Sequence, residues 1–271
     1  MIKKVVLICL VLILNANANL KTQIKNMIGE ETFSMHKNLI NFIFANEQRF
    51  YTGNRLNYFL VSQKLEENNL LDLQYPQEMN INIKFEIIGN YKKALFILRD
   101  SLKSLGYFYY FTKSAATKSG LYLWNIELKT QAAINPLRLS KLLSTTNSKI
   151  IKIIKEGEYD YLYQIDFSNS LLPNINNMYY KDSIDLKKPF EPYFIRLDNR
   201  TNSLRVISKY GNRWHPNIVF YDRDFNILKI IKDNKIYKNI TLDVPINAKY
   251  LKVDDLFSLS NLKRGIRIVK E

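Results

Sequence analysis

The stretch Asn80-Ile81-Asn82-Ile83-Lys84-Phe85-Glu86-Ile87-Ile88, followed by Tyr91-Lys92-Lys93-Ala94-Leu95-Phe96-Ile97-Leu98, decides the fold. The first half alternates polar and apolar, the period of a strand with one face buried. The second half puts Ala94, Leu95, Leu98, Leu102 and Leu105 on one helical face and stops at Gly106. A change of period over so few residues describes a strand that feeds a helix lying on one face of a sheet.

Working downstream, Tyr107 to Thr112 and Leu121 to Leu128 read as strands around a Lys118-Ser119-Gly120 turn. Asn135 caps a helix that begins at Pro136 and carries Leu137, Leu139, Leu142 and Leu143. Ile150 to Lys155 and Tyr159 to Asp166 close as a hairpin across Glu156-Gly157-Glu158, giving the order β-α-β-β-α-β-β, a split βαβ plus one strand. Upstream, Phe33, Ile40, Ile43, Phe44 and Phe50 recur at helical spacing, Thr52-Gly53-Asn54 is a turn, and Leu56, Phe59, Leu60 and Leu65 form a second amphipathic segment. This predicts a helical hairpin that covers the sheet or docks on a partner.

Ser168 to Pro192, with Pro173, Pro189, Pro192 and an Asn-rich run at Asn174 to Asn177, is the most linker-like part of the chain. Beyond it the segments are short, alternating and β-rich: Tyr193 to Leu197, Ser203 to Ser208, Ile218 to Tyr221, Ile227 to Ile231, Ile240 to Val244, Tyr250 to Val253 and Gly265 to Val269. Turns fall between them, among them Asp198-Asn199-Arg200 and Asp222-Arg223-Asp224. The expected class is α+β: a helical hairpin plus α/β domain over 19–167, a linker over 168–185, and an antiparallel β-sandwich over 186–271.

The first eighteen residues read as an export signal. Lys3 and Lys4 precede the apolar run Val5 to Leu14, and Ala16-Asn17-Ala18 offers small residues for cleavage before Asn19. The run is too short for a membrane span, which needs roughly 20 residues, although an uncleaved leader would act as a tether. Cys9 lies inside the apolar run, not after small residues, which argues against lipid attachment. Export implies a periplasmic protein that loses its single cysteine on cleavage, so neither disulfides nor a thiol nucleophile is expected.

After cleavage 38 basic and 25 acidic residues remain, a formal charge of +13, and residues 186–271 contribute 18 basic and 9 acidic side chains. Outside the cytoplasm such charge meets acidic lipids, anionic glycans or acidic protein faces, not nucleic acid. The abundance of Lys, Asn, Ile and Tyr is equally what an AT-rich genome encodes, and then the basicity only keeps the chain soluble.

Chemistry-bearing patterns are sparse. His36 and His215 lie in different expected domains without His, Cys or Glu at zinc spacing. Asp222-Arg223-Asp224-Phe225-Asn226 with Asp233 resembles a calcium loop, yet Ile227 replaces the required glycine and the last ligand is not Glu. Asp254-Asp255 and the Glu156, Glu158 and Asp160 group read as turn carboxylates, because adjacent strand residues point to opposite faces. No catalytic residue, metal or cofactor is expected. The candidate binding loop is Lys209-Tyr210-Gly211-Asn212-Arg213-Trp214-His215, where Lys209, Tyr210, Arg213, Trp214 and His215 gather cations and rings on a glycine-containing loop. Trp214 either meets a ligand or plugs the sandwich edge.

The run Tyr91 to Leu98 leading to Ser104-Leu105-Gly106-Tyr107 resembles the small periplasmic α/β modules of secretins and TonB-dependent receptors, and the resemblance implies stacking, ring building or partner docking. Pro216 to Leu228 with Pro245 to Val253 resembles bacterial pre-peptidase C-terminal and maltose-operon periplasmic sandwich domains, which implies a non-catalytic contact module. The arrangement of leader and domains is similar to periplasmic proteins of flagellated Campylobacterota, some of which belong to accessory discs of the flagellar motor. Together these readings predict a non-enzymatic assembly or accessory protein of an envelope machine, with protein partners and a possible anionic cell-wall contact. The alternative is a carbohydrate- or cell-wall-binding protein.

Overall fold

The computed structural model describes residues 19–271 except Asn174, Tyr180 and Asn199. The leader read over 1–18, with Cys9, and the middle residue of the Asp198-Asn199-Arg200 turn lie outside the described residues. The chain is α+β with a β-rich C-terminal part. It divides into two compact units at Leu171/Leu172.

The first unit opens with helices α1 (Leu20–Ile28), α2 (Glu30–Met35) and α3 (Lys37–Ile43) and a 3-10 turn at Glu47–Phe50. A small hairpin of β1 (Tyr51–Thr52) and β2 (Arg55–Leu56) turns at Gly53, whose φ of +60° suits a residue without Cβ. Then come α4 (Tyr58–Glu67), β3 (Gln74–Ile88), α5 (Tyr91–Ser104), β4 (Phe111–Lys118), β5 (Leu121–Ala132), α6 (Pro136–Thr145), β6 (Lys149–Lys155) and β7 (Asp160–Asp166). The expected hairpin is thus a larger helical layer: its first arm is broken at His36, and α1 precedes it.

The asparagines that the composition suggested were compositional drift have work in this unit. Asn19, Asn57, Asn90 and Asn135 each start a helix, accepting the N–H of Lys21, Leu60, Lys93 and Arg138 at 3.0–3.2 Å. A short amide oxygen at this position satisfies a donor that the helix leaves unpaired, worth about 1 kcal/mol each.

Among the described residues the sheet runs β4-β5-β3-β7-β6, with β3 parallel to β7 and every other pair antiparallel. The alternation in β3 buries Ile81, Ile83, Phe85 and Ile87 beneath the helices, together with Trp124, Ile126, Leu128, Tyr163 and Ile165. α1 packs on β6, α4 on α6, and α6 on β6. The intervening residues build a polar outer face: Asn82 donates to Asp160 at 2.9 Å, Lys84 pairs with Glu156 at 3.1 Å, and Gln164 donates to Glu86 at 3.0 Å. Among the described residues no helix is long and apolar enough to cross a membrane.

The second unit contains β8 (Ile175–Asn177), β9 (Ser183–Leu186), β10 (Tyr193–Arg196), β11 (Ser203–Ser208), β12 (Pro216–Tyr221), β13 (Ile227–Lys232), β14 (Asn239–Asp243), β15 (Tyr250–Asp255) and β16 (Ile266–Lys270). They form two sheets, β13-β12-β15-β10-β8 and β14-β11-β16-β9. All seven strands expected after residue 192 are present. The stretch 168–185, read as a linker, is corrected: β8 pairs in parallel with β10, and β9 pairs with β16. β8 carries no alternating side-chain signal and is held by its main-chain pairing, whereas β9 alternates and buries Ile184 and Leu186.

Between the sheets lie Ile195, Leu204, Val206, Ile218, Phe220, Leu251, Val253, Ile266 and Ile268. Gly265, at φ +82°, is set against the Leu186 carbonyl so closely that any Cβ would collide with it. Here glycine answers both a left-handed backbone and a close approach.

Candidate functional site

The 209–215 loop joins β11 to β12 and is pinned from within. Asn212 donates from Nδ2 to the Gly265 carbonyl at 2.7 Å and accepts the Arg264 N–H at 2.8 Å. The Arg213 N–H reaches the Asn261 carbonyl at 3.0 Å. Gly211, at φ +89°, lets the chain reverse before these bonds form.

Trp214 is a correction to its reading as a binding ring. It is fully buried, and its indole N–H donates to the Asp254 carbonyl at 2.8 Å. An indole with a satisfied N–H among aliphatic neighbours is a core residue. His215 is also turned inward: its side chain is 14% exposed, its Nδ1 stands 3.5 Å from Asp255 Oδ2, and its ring meets Phe257 edge-on. Lys209 is engaged by Asp185 at 3.1 Å and by the Leu186 carbonyl at 3.3 Å. Of the five candidates, only Tyr210 and Arg213 are exposed.

Asp255 explains the inward turn. Its buried carboxylate accepts the N–H groups of His215, Phe257 and Ser258 at 2.8–2.9 Å and the Asn261 amide at 3.0 Å. Burial pushes its pKa up, and those four donors outweigh it, so the group is held below the usual carboxylate range. The Asp254-Asp255 pair is therefore a structural knot that ties β15 to the β11–β12 connection.

The other carboxylates are likewise occupied locally. Asp222 Oδ1 accepts the N–H of Asp224 and of Asn226 at 2.8 Å, an Asx turn that carries Phe225 at φ +64°. Glu156 faces Lys84, Asp160 faces Asn82, and Glu158 receives the Tyr159 hydroxyl at 2.7 Å. These acids take three different partners and do not converge on one point.

Docking by the helical hairpin was among the sequence expectations, but the residues of two exposed apolar surfaces were not named. The first runs along α2 and α3, where Met35, Leu39 and Phe42 are 71, 38 and 80% exposed and α2 buries no residue. Beside it, a groove of about 450 Å³ is lined by Phe42, Ile43, Phe50 and Leu60 with Arg49 and Lys64. The signal was present: positions 35, 39 and 42 share a helical face distinct from that of Ile40 and Phe44, which are buried. The second is β13, an end strand of the five-stranded sheet, where Ile227, Leu228 and Ile230 are 58, 38 and 50% exposed.

The chain matches no protein-family model, no curated protein and no solved structure.

Proposed function

We propose that this is an exported, periplasmic, non-catalytic assembly or accessory protein of an envelope machine such as the flagellar motor. It docks protein partners through the helical layer of its first unit and through its basic sandwich. The observation that supports this reading is the apolar stripe Met35, Leu39 and Phe42 bordering an open groove. Met35 at the end of α2 and Leu39 and Phe42 on α3 are exposed apolar groups, and Phe42 also lines the groove, a patch of the kind that marks an interaction site. Such a face accepts an apolar surface or an amphipathic helix.

The test is a photo-activated cross-linking residue at Phe42 of the full chain, expressed in its own cells. Discrete adducts with components of one envelope assembly, lost when Met35 and Leu39 are both changed to Ser, are the expected result. Absence of adducts, together with binding of the full chain to cell-wall glycans, would overturn the reading in favour of the carbohydrate alternative. That alternative retains Tyr210 as a stacking ring and Arg213 as a cation, but the burial of Trp214 deprives it of its largest ring.

A further inference from the structure

We propose that the outer edge of β13 is a strand-addition site for an extended segment of a partner protein in which apolar and acidic residues alternate. This deepens the docking reading above and rests on it. β13 ends its sheet, and its other side pairs with β12. The Asp233 N–H donates to the Pro216 carbonyl at 3.0 Å, which sets the phase of the ladder. Lys229 and Ile231 share that phase and turn their main chain toward β12. Ile230 and Lys232 turn theirs away, leaving N–H and C=O groups aligned along an open edge.

Side chains give the edge its chemistry. Ile230 lies opposite Val219 and shares its face with Lys232, while Lys229 lies opposite Phe220 and shares its face with Ile231. Ile231 packs against the sandwich core, so the edge offers Ile230 with Lys232 on one face and Lys229 on the other. The lysines continue past the strand as Lys235 and Lys238, all four exposed. Among the described residues Lys229, Lys232 and Lys238 have no ion-pair partner, and the one acid in the segment, Asp233, is held by the Tyr237 hydroxyl at 2.6 Å.

Charge selects among occupants. A second copy would bring lysines from both edges within about 8–10 Å, the range over which charges repel at moderate salt. A neutral strand would leave the lysines unmatched. A strand with carboxylates at alternate positions sets its acidic face against Lys229 while its apolar face covers Ile230. Main-chain bonds then supply affinity, and the lysines supply selectivity. Lysines also guard edges against aggregation, but a guarded edge is short or polar, and this one exposes three large aliphatic side chains.

The test titrates the full chain against labelled synthetic peptides alternating Val with Glu or Val with Lys, read by fluorescence anisotropy. The Val–Glu peptide should bind, and the Val–Lys peptide should not. Ile230→Pro removes one outward N–H without breaking the ladder to β12 and should weaken binding by at least about tenfold. The double change Lys229→Glu with Lys232→Glu should reverse the preference, which keeps the test decisive if the proline variant fails to fold. Equal binding of both peptides, binding indifferent to both variants, or no binding at all would overturn the proposal. A concentration-dependent dimer abolished by the charge reversal or the proline would instead assign the edge to a second copy. Persistence of Phe42 adducts alongside a silent edge would sink this proposal alone, and loss of both would sink the docking reading as well.

Discussion

Lys270 Nζ donates to Asp198 Oδ2 at 2.6 Å, joining the last strand of the sandwich to the turn after β10 across 72 positions of sequence. The same carboxylate accepts the Thr201 hydroxyl at 2.7 Å and the Arg200 N–H at 3.0 Å. Burial pushes its pKa up, but Lys270 and these donors prevail and hold it at about 2. The folded value lies below the ordinary 3.8, so this contribution to stability is complete above about pH 4 and is lost as the pH falls toward 2.

Acid unfolding should expose that contribution. Asp198→Asn is expected to flatten the stability profile between about pH 4 and pH 2 and to cost about 1.5–3 kcal/mol at neutral pH. Urea unfolding followed at several pH values checks both. Asp255, also held below the usual range, leaves a residual acid dependence of the same sign.

Both tryptophans of the chain, Trp124 and Trp214, are buried at 2 and 0% exposure. The native protein should therefore emit at short wavelength with weak acrylamide quenching, and both properties should reverse on unfolding. Trp214→Ala should cost about 3–5 kcal/mol. Trp214→Phe should cost about 1–3 kcal/mol by stranding the Asp254 carbonyl.

Phe42 and Phe44 separate docking from folding within three residues. Phe44 is fully buried and packs at a tilt against Phe50 with ring centroids 4.7 Å apart, whereas Phe42 is 80% exposed. Phe44→Ala should cost about 3–5 kcal/mol. Phe42→Ser should change stability by no more than about 0.5 kcal/mol. Thermal melts of the two variants, with the partner cross-link as second readout, test the division.

Gly265→Ala should be among the costliest single-methyl additions in the chain. It combines a left-handed backbone with a collision at the Leu186 carbonyl. A loss of at least about 1–3 kcal/mol is expected. Ala at Gly120, which has φ +80° and nothing near its missing Cβ, should lose only the backbone part.

Elements whose side chains face two different environments were legible. β3, β5, α5 and α6 each bury one face, and period alone locates them. β4 was misplaced because all eight of its residues are exposed, so no alternation marks it. The strand read over Tyr107 to Thr112 begins only at Phe111, and Tyr107 and Tyr110 instead pack at the core margin. α1 was hidden by its junction with the leader, and β8 and β9 by prolines and asparagines that suggest loop. The candidate loop misled for a related reason. Its composition is polar and cationic, but the partners that fold Trp214 and His215 inward, Asp254 and Asp255, lie 40 positions away.

The parallel pairing of β3 with β7 sets an order of events during synthesis. Asn82 meets Asp160 only after 78 further positions have emerged, and until then one long side of β3 has no neighbour. A sheet whose middle is completed by its last strand carries a high contact order and closes slowly. Until β7 arrives, the alternating isoleucines of β3, Ile81, Ile83 and Ile87, lack the parallel neighbour that completes their sheet.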